Sequence, residues 1–215
     1  MKYIPWKKKL LKKSRLYCII DKDACAKRDI LNTATIALAG GADLIQFRFR
    51  EDEKTKDIIN LAKKLKKIVW DKKKIFIINN RVDLAKAVDA DGVHIGQEDM
   101  PVNAARKILG KNKIIGLSCH SFSQAISAQK QNTDYISIGP IFKTPTKPEY
   151  APVGLKLIRV VNRRVKKPFF AIGGINKNNI AKVKAAGADR IAVCRAVCQA
   201  EDAHMAAKLL KEKLQ

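Results

Sequence analysis

Short runs of apolar, largely β-branched residues recur along the chain, and the segments between them carry apolar residues three and four apart. The runs are Leu16–Ile20, Leu44–Phe47, Ile75–Ile78, Gly92–Ile95, Lys113–Leu117, Tyr135–Ile138, Pro168–Ile172 and Arg190–Val193. Being apolar on both faces, they predict parallel strands covered by helices. Helical spacing is predicted over Ile30–Ala39, Lys54–Trp70, Val82–Val88, Val102–Leu109, Ser121–Lys130, Leu155–Val165, Lys177–Ala186 and Glu201–Leu214. It is plainest in Lys54–Trp70, where Ile58, Leu61, Leu65 and Val69 share one face.

Strict alternation of these elements predicts one α/β domain, a single (β/α)8 TIM barrel over residues 15–215, with an open doubly wound sheet as the alternative. An internal repeat supports the barrel. Asp43, Asp91, Asp134 and Asp189 each follow a small or turn-forming residue and open an even-numbered strand.

Composition adds two constraints. With 47% hydrophobic residues in 215 the chain can build a sizeable core, and no uninterrupted apolar run reaches bilayer-spanning length. Five cysteines without disulfide-scaffold spacing suit a reducing cytoplasm. Cys194 and Cys198 lack the second ligand pair that a zinc site needs. The formal charge is +24, from 44 Lys+Arg against 20 Asp+Glu, which favours anionic partners. Residues 1–14 read as a basic amino-terminal arm, either a solvated lead-in or a segment that touches a membrane surface or RNA, and they contain no apolar stretch of secretory-signal length.

In a (β/α)8 barrel the chemistry lies at the C-terminal ends of the strands. After the second run, Gln46, Arg48 and Arg50 point to one side as long donors suited to phosphate or diphosphate. Asn79 and Asn80 follow the third, as amide ligands or as helix caps. After the fourth, Asp99 stands among oxygen-bearing side chains, in a setting for Mg2+ or for a helix cap before Pro101. The fifth delivers Ser118, Cys119 and His120; His94, within a strand, reads as a packing residue and His204 as a surface one. The stretch Gly139–Pro148 holds Thr144, Thr146 and Lys147 around rigid prolines, as a lid over an anion would. Gly173 and Gly174 after the seventh run, with Cys194 and Arg195 after the eighth, occupy the usual phosphate position of such barrels.

The segments LIQFR, IINNRVDLA, ADGVHIGQEDMP, IIGLSCHS, YISIGPIFKTPTK, PVGL, AIGGIN and GADRIAV, from about Leu16 to Ala207, together resemble the thiamine-phosphate synthase family. The resemblance implies a transferase that joins hydroxymethylpyrimidine diphosphate to a carboxythiazole phosphate, giving thiamine phosphate, diphosphate and CO2. Diphosphate would leave first, and the thiazole nitrogen would capture the pyrimidine methylene cation. By position, Gln46, Arg48, Arg50, Asn79, Ser118 and Lys147 would contact the pyrimidine diphosphate, with Arg48, Ser118 and Lys147 as the catalytic set. Asp99 and Asn80 would hold Mg2+, and Thr144, Thr146, Gly173, Gly174, Cys194 and Arg195 the thiazole phosphate.

Three positions depart from the family pattern: Asn80 stands where an Asp is usual, Arg50 where a Lys is usual, and Arg195 where a Ser is usual. The thiazole tautomerases resemble the same pattern and would use His120 as acid and base without a metal. A non-catalytic, basic nucleic-acid-binding barrel is the reading from a different class, and it lacks an aromatic platform: aromatics are 6% of the chain. The partners expected are therefore small phosphorylated substrates, with no specific nucleic acid, no membrane span, and a homo-oligomer allowed.

Overall fold

Eight parallel strands close into a barrel in sequence order: β1 (Leu16–Asp21), β2 (Leu44–Arg48), β3 (Ile75–Asn79), β4 (Gly92–Ile95), β5 (Ile114–Cys119), β6 (Tyr135–Ile138), β7 (Phe169–Ile172) and β8 (Ile191–Val193), with β8 pairing back to β1. This is a computed structural model, and it describes residues 6–215 apart from Lys27 and Glu51. The helices are α1 (Trp6–Lys13), α2 (Lys22–Cys25), α3 (Ile30–Ala39), α4 (Thr55–Asp71), α5 (Val82–Ala87), α6 (Val102–Leu109), α7 (Phe122–Lys130), α8 (Gly154–Arg164), α9 (Ile180–Ala185), α10 (Arg195–Cys198) and α11 (Ala203–Lys213). Among the described residues no helix is long and apolar enough to cross a membrane.

Two apolar cores follow from strand alternation. Outward residues such as Cys18, Ile45, Phe47, Phe76, Val93 and Leu117 pack under the helices. Inward residues such as Tyr17, Leu44, Ile75, Ile77, Ile114, Tyr135 and Phe170 fill the lumen. Helix starts follow local chemistry: the carboxylates of Asp29 and Asp202 and the hydroxyl of Ser121 accept backbone amides at the first turns of α3, α11 and α7.

Helix α9 starts later than its apolar spacing predicts, because residues 176–179 are held in side-chain turns instead. Asn179 Oδ1 accepts from the Asn176 amide at 2.9 Å, and Asn179 Nδ2 donates to the Gly174 carbonyl at 2.8 Å.

The recurrent Asp is explained by the backbone. Asp43 accepts the amide of Leu16 at the start of β1, Asp91 that of Phe76 in β3, and Asp134 that of Ile115 in β5. Each carboxylate thus ties the entry of an even strand to the preceding odd one. Asp189 departs from this, pairing with Arg190 at 2.6 Å.

Within the segment expected as a basic arm, residues 1–5 lie outside the described residues, and residues 6–13 form α1. Leu11 of α1 is buried among the lumen side chains. Lys7 Nζ pairs with Asp91 at 2.8 Å and Lys8 Nζ with Asp134 at 2.7 Å. These aspartates precede β4 and β6, so α1 lies at the pole opposite the strands' C-terminal ends.

Candidate active site

Inward alternation carries Arg48, Asn79 and Ser118 to the C-terminal ends of β2, β3 and β5, where a cavity of about 450 Å³ opens. Gln46, Asn80, Thr144, Thr146, Gly173, Gly174, Cys194 and Arg195 also line it. A second cavity of about 400 Å³ is lined by Asp21, Lys22, Arg50 and Arg81. Arg48, Asn79, Asn80 and Lys147 line both, so cationic and amide side chains stand between two adjoining spaces.

Arg48 is aimed by a buried anion. Its Nη1 donates to Asp21 Oδ2 at 2.6 Å, while Asp21 Oδ1 accepts the Ala24 amide at 2.7 Å as the cap of α2. Arg50 lies further out, forked onto Asp52 at 3.2 and 3.1 Å, and lines the second cavity but not the first. Lys22 pairs with Glu53 on the same rim.

Asn80 sits at φ 57, a left-handed conformation that Asn tolerates better than most residues, and its amide donates to the His94 carbonyl at 2.8 Å. Asp99 lines neither cavity directly. Its Oδ2 accepts the amide of Gly96, a lining residue, at 2.6 Å. Helix α6 has Pro101 at its cap position and no side-chain cap bond, so Asp99 closes the β4–α6 turn rather than capping the helix. Asp99 and Arg48 therefore stand on the same pole of the barrel.

The lid and the loops after β7 and β8 form the opposite wall. Gly174 has φ +65, and a Cβ there would lie 2.7 Å from the Lys143 carbonyl and 2.8 Å from Phe142 Cβ, so backbone and lid meet closely at this point. Arg195 Nε donates to Thr146 Oγ1 at 3.3 Å and Nη1 to Gln199 Oε1 at 3.3 Å, so the arginine ties the lid to the loop after β8. His120 bonds the Gly139 carbonyl through Nδ1 at 2.7 Å, and its ring stacks on Tyr150 at 4.3 Å between centroids. Tyr150, which sequence reasoning missed, lines the cavity just after the lid.

His94 corrects the sequence expectation. It is buried, but its ring faces the lumen and the cavity floor, with Nδ1 2.9 Å from Tyr135 Oη and Nε2 2.9 Å from Ser118 Oγ. The residue opposite must be glycine: a Cβ on Gly116 would lie 2.1 Å from Tyr135 Cζ and 2.4 Å from His94 Nδ1. Cys119 points outward into the apolar layer, where burial pushes its thiol up to about 12, so it offers no nucleophile.

Burial, with the Lys147 charge acting in the same direction, lowers His94 from 6.5 to about 3. Between those values the unfolded chain binds a proton that the folded chain refuses, so stability rises with pH. The folded state carries no penalty above pH 6.5 and accumulates one as pH falls toward 3. This group alone is expected to make the protein about 2 kcal/mol less stable at pH 5 than at pH 8. Urea unfolding at both pH values checks it, and the difference should shrink by that amount in His94→Gln; an unaltered difference would assign the pH response to other groups.

A closed barrel with two adjoining cavities lined by cationic and amide side chains at one mouth belongs to the class of (β/α)8 proteins whose site suits small anionic molecules. Known proteins narrow this. The sequence profile of the family described as thiamine monophosphate synthase matches residues 16–197. A thiamine-phosphate synthase of Prochlorococcus marinus is 44% identical over 94% of this chain, and one of Chloroflexus aurantiacus is 43% identical over 92%. The chain spans 57% of the length of the former and 91% of the latter. The solved thiamine phosphate pyrophosphorylase of Pyrococcus furiosus superposes with a TM-score of 0.87 at 38% identity, covering 95% of this chain and 97% of that one. The chain belongs to the thiamine monophosphate synthase family.

Proposed function

We propose that the protein condenses an aminopyrimidine methyl diphosphate with a carboxythiazole phosphate, forming thiamine phosphate, diphosphate and CO2. The observation that carries this reading is the shared wall of Arg48, Asn79, Asn80 and Lys147 between two adjoining cavities. One space takes the diphosphate beside the arginines, and the other takes the ring system and the thiazole phosphate beside the loops after β7 and β8.

The C–O bond to the diphosphate breaks and its electron pair leaves with the diphosphate. Arg48 and Lys147 face the oxygens where that charge develops. The thiazole nitrogen then forms the C–N bond to the methylene cation, and loss of CO2 leaves the bond's electron pair on the thiazole carbon, which takes a proton from water. Gln46 and Ser118 orient the pyrimidine, while Thr144, Thr146, Arg195 and the backbone of Gly173, Gly174 and Cys194 hold the thiazole phosphate. No step needs a protein nucleophile, in keeping with the outward burial of Cys119.

The donors near the diphosphate are hard oxygens, which suits Mg2+. Asp99 Oδ1 has no hydrogen-bond partner among the described residues, and Asn80 lines both cavities. These two residues would hold the ion, which supplies charge neutralisation to the departing diphosphate. With a single carboxylate the affinity should be modest, so Asn80→Asp is expected to lower the Mg2+ concentration for half-maximal activity about tenfold. An unchanged titration would mean that position 80 does not face the ion.

The reading is tested by supplying both substrates with Mg2+ and measuring thiamine phosphate and released diphosphate together. Equal amounts of the two are expected. Consumption of the thiazole compound alone, without metal, would replace this reading with the tautomerase one.

A further inference from the structure

Beneath the cavity a continuous hydrogen-bond chain crosses the barrel lumen. Gln46 Nε2 donates to Tyr17 Oη at 2.6 Å, Tyr17 Oη lies 3.0 Å from Tyr135 Oη, Tyr135 Oη 2.9 Å from His94 Nδ1, and His94 Nε2 2.9 Å from Ser118 Oγ. Elsewhere the lumen is filled by apolar side chains, Ile75 and Ile77 from β3 and Phe170 from β7 among them. Buried polar groups in a lumen are costly unless every one is paired, and here each link is paired.

The chain has a direction. Because Gln46 donates to Tyr17, the Tyr17 proton goes on to Tyr135, and the Tyr135 proton goes to His94 Nδ1. That leaves the His94 proton on Nε2, shared between Ser118 Oγ at 2.9 Å and Ser137 Oγ at 3.2 Å, and Ser137 in turn donates to Ser118 Oγ at 3.4 Å. Ser118 has then accepted from below and keeps its own proton for the cavity, while Gln46 Oε1 remains an acceptor. The two ends, on β2 and β5, are therefore fixed as an acceptor and a donor before any ligand arrives.

We propose that Tyr17, Tyr135 and His94 are positioning residues, a one-way relay that presents Gln46 as acceptor and Ser118 as donor to read the exocyclic amine and a ring nitrogen of an aminopyrimidine. This rests on the function proposed above and deepens it. It makes recognition of the amine a property of the barrel floor rather than of the lid, and it predicts that residues which never touch the ligand set the preference for it.

The test compares two diphosphate ligands, one bearing the ring amine and one with hydrogen in its place, on wild type, Tyr135→Phe and Tyr17→Phe. Wild type should bind the amine-bearing ligand more than about tenfold more tightly, the order set by one buried acceptor, Gln46 Oε1, left unpaired. Tyr135→Phe should lose most of that preference and raise KM for the amine-bearing ligand about tenfold, with KM for the thiazole phosphate unchanged. Tyr17→Phe keeps the Tyr135–His94 link and serves if the first variant fails to fold; it should also lose the preference, because Gln46 is then released. The double variant should be no worse than the weaker single, since a chain once broken has nothing more to lose. A folded variant that keeps the wild-type preference overturns the relay while leaving the synthase reading intact. Equal rises in both KM values, or independent additive effects, overturn it as well. A wild type that makes no thiamine phosphate and binds neither diphosphate ligand overturns both.

Discussion

Arg48→Ala should lower kcat/KM for the pyrimidine diphosphate roughly 10³-fold. Two effects act together. The substitution removes a cation that lines both cavities, and it strips the partner from Asp21, whose side chain is 7% exposed. Asp21 is fixed by the Ala24 amide and cannot turn away. An unpaired anion would then face the incoming diphosphate, so the loss should exceed that of an ordinary phosphate contact. Arg48→Lys restores charge without the fork and should recover only part of it. Asp21→Asn combined with Arg48→Ala removes the exposed anion and should recover activity relative to Arg48→Ala alone. Steady-state kinetics with each substrate varied checks all three, and KM for the thiazole phosphate should stay within about threefold. A loss below tenfold for Arg48→Ala would move diphosphate binding away from β2.

The barrel was legible because the strand signal repeats. Runs such as Tyr135–Ile138 and Gly92–Ile95 are strands with the same bounds in the structure. The site was legible where alternation alone decides direction: Gln46 and Arg48 share inward parity, and both face the cavity. The same parity held an unused signal. Tyr17, His94, Tyr135, Ser118 and Ser137 are polar residues at inward positions, and their coincidence marks a polar floor, yet a single histidine inside a strand reads first as packing. Helix α1 was obscured for a different reason. Its lysines suggest a solvated run, and nothing local says that Lys7 and Lys8 will meet Asp91 and Asp134, which lie far along the chain. The four-residue helices α2 and α10 are too short to leave a period. Tyr150 follows the lid, where no periodicity exists, and its stacking on His120 and the Lys147 ammonium over its ring reveal its place.

Asp99→Asn separates two roles that a truncation would confuse. The carboxylate holds the β4–α6 turn by accepting the Gly96 amide at 2.6 Å, so Asp99→Ala would loosen the cavity edge whatever else Asp99 does. Asn keeps an oxygen for that amide and removes only the charge. If the remaining oxygen serves Mg2+, Asp99→Asn should raise the half-saturating Mg2+ concentration more than about tenfold and lower kcat/KM at fixed metal about a hundredfold. Part of that loss should return at high Mg2+. The fold should be unaffected, checked by an unchanged melting temperature. An unchanged metal titration would leave Asp99 as a turn residue alone. The complementary exchange sharpens the argument. Asn80→Asp with Asp99→Asn moves the single carboxylate from β4 to β3 while keeping the donor types, and it should recover metal affinity relative to Asp99→Asn if both side chains face one ion. Two independent sites would show no such recovery, because the charge gained at position 80 would not reach the place where it was lost.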